Sequence, residues 1–294
     1  MIMSLESNPS IAYFSMEVAI DSRIPIYSGG LGVLAADTMR AAADLNIPMI
    51  GVSLLSRKGY FRQYLDGEGK QVEKDISWSP EKFLDLLPLR LMVMLNGRKV
   101  GLQVWRYNIQ SEVGSGTIPL YFLDTALSEN SPEDMTITDY LYGGDERYRL
   151  TQEAILGLGG IAMLRTLGYE SIQVYHMNEG HSALISLALL EERTWGRSLQ
   201  VVCDQDWDAI KQHCVFTTHT PVAAAHDKFP IELVREVLGQ ERTECLMKTQ
   251  CCDYETLNMT QLALICSRFV NGVSMRHEEV SRMMYPNHRV DFIT

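Results

Sequence analysis

The sequence predicts an α/β fold: a Rossmann-like parallel sheet carrying an antiparallel insertion. Three observations predict it. Two short apolar runs of strand type, residues 11–16 and 47–55, flank an Ala-rich segment of helical spacing. Several strand-like runs then follow one another between 57 and 123 with no helical sequence between them. From Asp145 onward, helix-like and strand-like stretches alternate again, the rhythm of parallel α/β units.

The first helix is expected over Leu31 to Leu45, where Leu31, Leu34, Met39, Ala42 and Leu45 recur near helical spacing and no Gly or Pro follows Gly32. In the antiparallel stretch the strand-like runs are 91–95, 101–109 and 117–123, with Asn96-Gly97 marking a tight hairpin turn. Helices are then expected at 147–167, 180–192, 204–212, 230–238, 256–266 and 276–285, and strands at 172–176, 214–218 and 269–274. Gly168, Gly196 and Gly239 stand where helices should stop. No repeat or Pro/Ser-rich linker divides the chain, so residues 1–294 read as one domain with 57–123 as its insertion.

The 294 residues are 46% hydrophobic and 21% charged, enough to bury a sizeable core. Carboxylates outnumber Lys and Arg by 37 to 26, giving a formal charge of −11 and a pI near 5.1. A nucleic-acid groove or an anionic membrane surface is therefore not expected, and any phosphate must be held locally. The six cysteines all lie in the C-terminal third and none forms a CxxC pair, which predicts reduced thiols and a cytoplasmic setting. Residues 1–10 carry no positive n-region and no small-residue cleavage site, so no leader peptide is expected, and no apolar run is long enough to span a membrane.

Between the first strand and the first helix lies Ile26-Tyr27-Ser28-Gly29-Gly30-Leu31-Gly32-Val33. Consecutive glycines let a backbone turn through positive φ and bring free N–H groups against an anion, with the helix dipole adding to the attraction. A tight turn with no ligand is the plainer alternative. Gly30-x-Gly32-x-x-Ala35 also fits the dinucleotide fingerprint, but a dozen residues separate it from the strand, and the next strand ends in Leu55-Ser56-Arg57 without a ribose-binding carboxylate. A nicotinamide or flavin role is set aside on those mismatches.

Ligands of open α/β sheets bind beyond the carboxyl ends of the strands. Three such ends carry polar clusters: Ser15-Met16-Glu17, Met177-Asn178-Glu179-Gly180-His181, and His219-Thr220-Pro221 with His226-Asp227 beyond it. They should gather Glu17, Asn178, Glu179, His181 and His219 near the glycine loop. His176 and His181 are five residues apart, unlike the spacing of a helical metal pair, and no cysteine is suitably placed, so no metal is expected. No GxSxG elbow is present. Asn, Glu, Thr and His supply directional hydrogen bonds to sugar hydroxyls, the recognition these residue types suit best. Asp145 to Arg149 with Gln152-Glu153 reads as a capped, salt-bridged first turn, the Met275, Met283, Met284 and Tyr285 group as core or interface, and Cys251-Cys252 as two unbridged small apolar residues.

The segments Phe14-Ser15-Met16-Glu17, Ile24 to Ala35, Gly59-Tyr60-Phe61-Arg62-Gln63, His176 to Ala183, Phe216 to Val222 and Val270-Asn271-Gly272-Val273-Ser274 together resemble the α-glucan (glycogen/maltodextrin) phosphorylase family in its short form. They occur in family order along essentially the whole chain. The resemblance implies one half of a two-lobed glycosyltransferase-B architecture and a retaining phosphorolysis of α-1,4-glucan or maltodextrin by orthophosphate, giving glucose 1-phosphate. It also implies pyridoxal phosphate in the complete enzyme, acting through its phosphate group. Gly29, Gly30 and Leu31 would offer amides to phosphate and to the terminal glucosyl unit, and Glu17 would brace that loop. His219 would sit at the glucosyl subsite with its carbonyl near the developing positive charge, lined by Asn178, Glu179 and His181.

The cofactor lysine and the phosphate-gripping cations of that family belong to a second lobe that the resemblance does not find here, so the chain is expected to be the N-terminal lobe and inactive alone. Two departures bear on the cleft: alanines at Ala223 to Ala225 where relatives usually carry Pro and Gly, and Met275-Arg276 with Glu278 in place of Lys-Leu-x-Gly. A non-catalytic glucan-binding module and the N-terminal lobe of a glucan synthase remain as alternatives. A lobe shaped to face a partner should expose apolar surface, which leaves a homo-oligomer open.

Overall fold

A computed structural model describes residues 9–74, 76–195, 197–222, 225–253 and 255–293. The expectations for residues 1–8, Gly196, Ala223 and Ala224 lie outside these. The strands in chain order are β1 (Ile11–Ser15), β2 (Met49–Leu54), β3 (Arg62–Leu65), β4 (Gln71–Lys74), β5 (Asp85–Leu95), β6 (Arg98–Gln110) and β7 (Thr117–Asp124), then β8 (Val174–Asn178), β9 (Cys214–Thr217), β10 (Lys228–Pro230), β11 (Thr256–Asn258), β12 (Phe269–Gly272) and β13 (Asp291–Phe292). The helices are α1 (Gly30–Asp44), α2 (Glu146–Ala154), α3 (Gly160–Thr166), α4 (Ile185–Arg193), α5 (Asp204–Lys211), α6 (Ile231–Leu238), α7 (Gln240–Met247), α8 (Met259–Ile265) and α9 (Met275–Met284).

Nine strands form one mixed sheet in the order β13-β12-β9-β8-β1-β2-β7-β6-β5. Pairing is parallel from β13 through to β7 and antiparallel for β7-β6-β5. This is an α/β fold of the kind compatible with a Rossmann-like sheet. The chain builds outward from β1 in both directions, β2 on one side and β8 on the other, so the strand order reverses at β1. A crevice opens at the carboxyl end of such a reversal, because the flanking connections leave on opposite faces of the sheet.

Side chains alternate across this sheet as a twofold period requires. On β1, Ala12 and Phe14 join the larger core with α2 to α8, whereas Tyr13 faces the smaller core under α1 with Met39, Leu120 and Phe122. The run from Glu146 to Thr166 is helical throughout, as its spacing predicts, but Ile155–Gly159 forms a π-turn between α2 and α3. The small residues there permit close approach: a Cβ on Gly157 would stand 2.6 Å from the Leu184 carbonyl carbon, and one on Gly160 would stand 2.4 Å from Phe14 Cε1. Nothing in the apolar period signals the extra residue in the ladder.

Other departures are local. The stretch 57–123 does not stand apart from the sheet, since β5 and β6 extend it and β7 is parallel to β2, while β3 and β4 make a separate ribbon. The hairpin at Asn96-Gly97 is present, both residues having positive φ. Strand β8 runs two residues further than expected, so Asn178 ends the strand, and residues 256–258 are β11, with α8 starting only at Met259. Helix α7 and the β3–β4 ribbon have too little apolar periodicity to be foreseen. Met275 and Met283 are exposed, not core, while Tyr285 is buried. All six cysteines are free, Cys251 and Cys252 having their sulfurs 3.8 Å apart. Among the described residues no helix is long and apolar enough to cross a membrane.

Candidate functional site

Beyond β1 the chain turns at Glu17, whose buried carboxylate organises the glycine loop. One of its oxygens accepts the backbone N–H of Ser28 at 2.6 Å and that of Gly29 at 3.2 Å, and the other accepts the Tyr142 hydroxyl at 3.0 Å. Gly29 is extended, with φ −166°, and neither Gly30 nor Gly32 has positive φ. The expected left-handed turn is therefore absent, and the Gly29 amide is held by Glu17 instead of being offered to an anion. What remains at the head of α1 are the N–H groups of Gly30 and Leu31, which have no intrahelical acceptor at those positions, and no side chain caps them.

The glycines serve two different ends. A Cβ on Gly29 or Gly30 would meet nothing within 4 Å, leaving the backbone open to a ligand, whereas one on Gly32 would stand 2.8 Å from Glu17 Oε2 and 2.8 Å from Tyr27 Cβ. Gly32→Ala should therefore cost about 1–3 kcal/mol of stability, read as a lowered denaturation midpoint, while Gly30→Ala should leave the midpoint unchanged or slightly raised. Equal losses from the two substitutions would contradict this packing.

The carboxyl ends of β1, β8 and β9 are tied together by one directional chain of hydrogen bonds. Ser15 Oγ donates to the Glu17 carbonyl at 2.7 Å, and Asn178 Nδ2 donates to Ser15 Oγ at 3.0 Å. With its amide nitrogen so committed, Asn178 presents Oδ1 to His219 Nε2 at 2.7 Å. Only a donor suits that oxygen, which fixes the neutral His219 tautomer with the proton on Nε2 and a free lone pair on Nδ1. Burial lowers the His219 pKa to about 4 against the pull of the Glu179 carboxylate, so the ring is uncharged at neutral pH.

Glu179 adopts φ 71°, a conformation costly for a side-chain-bearing residue. The turn sets its carboxylate to accept from His219 N at 2.7 Å, Thr220 Oγ1 at 3.0 Å and Gly180 N at 3.0 Å. Both oxygens are thereby engaged by the β8 and β9 connections, and Glu179 braces the turns. His181 places Nε2 3.0 Å from Asp227 Oδ2 and its ring 5.3 Å from that of Tyr142, while its Nδ1 is buried without a protein partner.

Arg149, expected only in a salt-bridged turn, Asp227, noted only beyond the β9 cluster, and Tyr142, not expected in the site, complete the cluster. Arg149 donates to both Asp227 oxygens at 2.7 Å, and its guanidinium lies over the Tyr142 ring at 5.1 Å. Tyr142 thus joins the glycine loop, through Glu17, to His181 and Asp227. The expectation of a capped turn at 145–153 holds for Asp145, which accepts from Tyr148 N, yet Arg149 and Glu153 point inward. The available signal was Leu150, Glu153 and Ala154 sharing one helical face, an acid placed on an apolar stripe. Beside Tyr142 a groove of about 400 Å³ is lined by Tyr60, Phe61 and Tyr140 with Lys58 and Lys74 at its edge. Among the described residues no group of three His, Cys, Asp or Glu side chains is arranged to hold a metal.

No protein-family model matches the chain. It is 38% identical over 284 residues to the maltodextrin phosphorylase of Thermococcus litoralis, an alignment covering 94% of this chain and 33% of that protein. It is 34% identical over 306 residues to the glycogen phosphorylase of Mycobacterium tuberculosis (94% and 34%) and 31% identical over 311 residues to that of Aquifex aeolicus (97% and 43%). Over nearly its whole length the chain is similar to glycogen and maltodextrin phosphorylases. It spans about a third of the length of the first two of these relatives. The resemblance read from the sequence motifs is thus supported across nearly the whole chain. In this chain Glu17, Asn178, Glu179, His181 and His219 stand at adjoining strand ends, and Gly30 and Leu31 open the helix beside them.

Proposed function

We propose that this chain forms the N-terminal half of an α-glucan phosphorylase, one lobe of a glycosyltransferase-B architecture that cleaves α-1,4-glucan with orthophosphate to release glucose 1-phosphate. The observation that carries the reading is the hydrogen-bonded chain from Glu17 through Ser15 and Asn178 to His219, set at the strand-order reversal of a chain related to maltodextrin and glycogen phosphorylases. The free Nδ1 of His219 supplies a directional group for a sugar hydroxyl. A neutral His219 puts no cation beside a sugar that develops positive charge in an oxocarbenium-like transition state. The amides of Gly30 and Leu31 are the donors an acidic lobe can turn toward phosphate.

Pyridoxal phosphate, which supplies an acid–base phosphate group when bound, fits this lobe only along one wall. The cluster offers those two amides, its cation Arg149 is already committed to Asp227, and no lysine takes part in its hydrogen bonds. We assign the cofactor lysine and the phosphate clamp to a second lobe. Aromatic side chains flanking the groove beside Tyr142 suit the apolar faces of glucose rings, which makes the groove the route for the glucan chain.

The deciding assay is orthophosphate-dependent release of glucose 1-phosphate from maltodextrin, with and without a separately supplied C-terminal lobe. Turnover only in the presence of the second lobe is expected, and robust turnover by the 294 residues alone would overturn the half-enzyme assignment. Calorimetric titration with maltooligosaccharides should show binding that Tyr60→Ala weakens roughly five- to tenfold. Unchanged affinity would remove the groove from the glucan path.

A further inference from the structure

Glu153 projects from α2 into the cluster with 0% of its surface exposed, and neither carboxylate oxygen has a hydrogen-bond donor. After burial itself, the charge of Asp227 bears on it most, with Arg149 acting in the opposite sense. Asp227 already accepts from Arg149 and lies against His181 Nε2. A second ionised carboxylate there would be buried beside the first without donors of its own, an arrangement that costs several kcal/mol in protein interiors. A neutral acid reverses the balance, since its O–H becomes a donor for Asp227.

We propose that Glu153 is a positioning residue that retains its proton at neutral pH and directs it at Asp227, so that one aspartate clamps Arg149 and His181 together behind the glycine loop. The clamp carries a single negative charge between two cationic or protonatable groups, and Tyr142, packed on both Arg149 and His181, is held by it in reach of Glu17. The groups facing Glu153 and His181 are Asp227 from the segment before β10, Arg149 from α2, Tyr142 from the preceding turn, and His219 from beyond β9. The service of this clamp to a glucan site rests on the function proposed above, whereas the proton on Glu153 does not. The assay there and the titration here therefore fail separately.

The test is the His181 titration, followed by NMR of its ring C–H groups in the full chain. Glu153→Gln keeps the size and a donor but abolishes any charge, so the His181 midpoint should agree with wild type to within about 0.2 pH unit. Had Glu153 been ionised, losing its charge would lower the midpoint on the order of one pH unit, and that result overturns the proposal. A measurement that needs no variant accompanies it: ¹³C NMR of wild-type protein labelled at the glutamate carboxyl. One glutamate should stay in the acid form at pH 7, and complete ionisation of all glutamates at that pH equally overturns it.

Discussion

Glu17→Ala is expected to destabilise the chain by about 3–5 kcal/mol, the cost of stripping a buried, multiply bonded carboxylate from its partners. Its carboxylate is the acceptor for the Ser28 and Gly29 amides and for the Tyr142 hydroxyl, and no other group replaces it at any of the three. The loss should appear as a lowered denaturant midpoint with an unchanged slope, since the same surface is exposed on unfolding. The loop and Tyr142 should both loosen, so maltooligosaccharide binding should weaken even under conditions where the variant is folded. Glu17→Gln keeps an acceptor but turns an NH2 group toward existing donors, and should fall between wild type and alanine. A stability loss below about 1 kcal/mol for the alanine variant would show that the loop holds itself without the acid.

The second large effect is acid lability. Burial lowers His176 to about 4, helped by the neighbouring His219, and burial likewise lowers His219 to about 4. Both rings titrate near 6.5 in an unfolded chain. Between pH 6.5 and 4 the unfolded state therefore binds more protons, and stability falls as pH falls through that window, by on the order of 3 kcal/mol for each ring. His277 and His288, also lowered by burial, add in the same direction. Glu153, raised by burial, runs the opposite way and gains stability as pH falls toward the ordinary glutamate value. Asp227 is opposed by burial but held down by His181 and Arg149, so its loss comes only below about pH 4. Several histidines against one acid leave a net decline, measurable as a lower urea midpoint at pH 4.5 than at pH 7. His176→Gln should flatten that decline, and an unaltered profile would mean that His176 is protonated within the fold.

Periodicity in the sequence located the parallel strands and most of the helices because each packs one face on a shared core. Strand β1 and the first half of β8 read clearly since Ala12, Phe14 and Tyr175 are core residues within short apolar runs. The β3–β4 ribbon did not, because all eight of its residues are exposed and no burial imprints a pattern on them. The grouping of Glu17, Asn178, Glu179, His181 and His219 at neighbouring strand ends was legible from their clustering just past apolar runs. The contacts of Tyr142 and Arg149 with Asp227 and His181 were not, because they come from meeting across long stretches of chain that no local spacing records. The glycine loop shows the same limit in reverse: its place in the fold was legible, but positive φ was not what its glycines provide.

The far edge of the sheet has a consequence of its own. β5 is an eleven-residue border strand with Met92 and Met94 turned to solvent, a template on which another chain could in principle stack. Three features spoil the template. Pro88 lacks an N–H to offer, the register slips between Leu86 and Arg90, and Arg242 occupies the carbonyl of Met94. Copies of this chain are thus steered away from fusing into a continuous ribbon, and fibrous self-assembly along this border is disfavoured by the backbone itself.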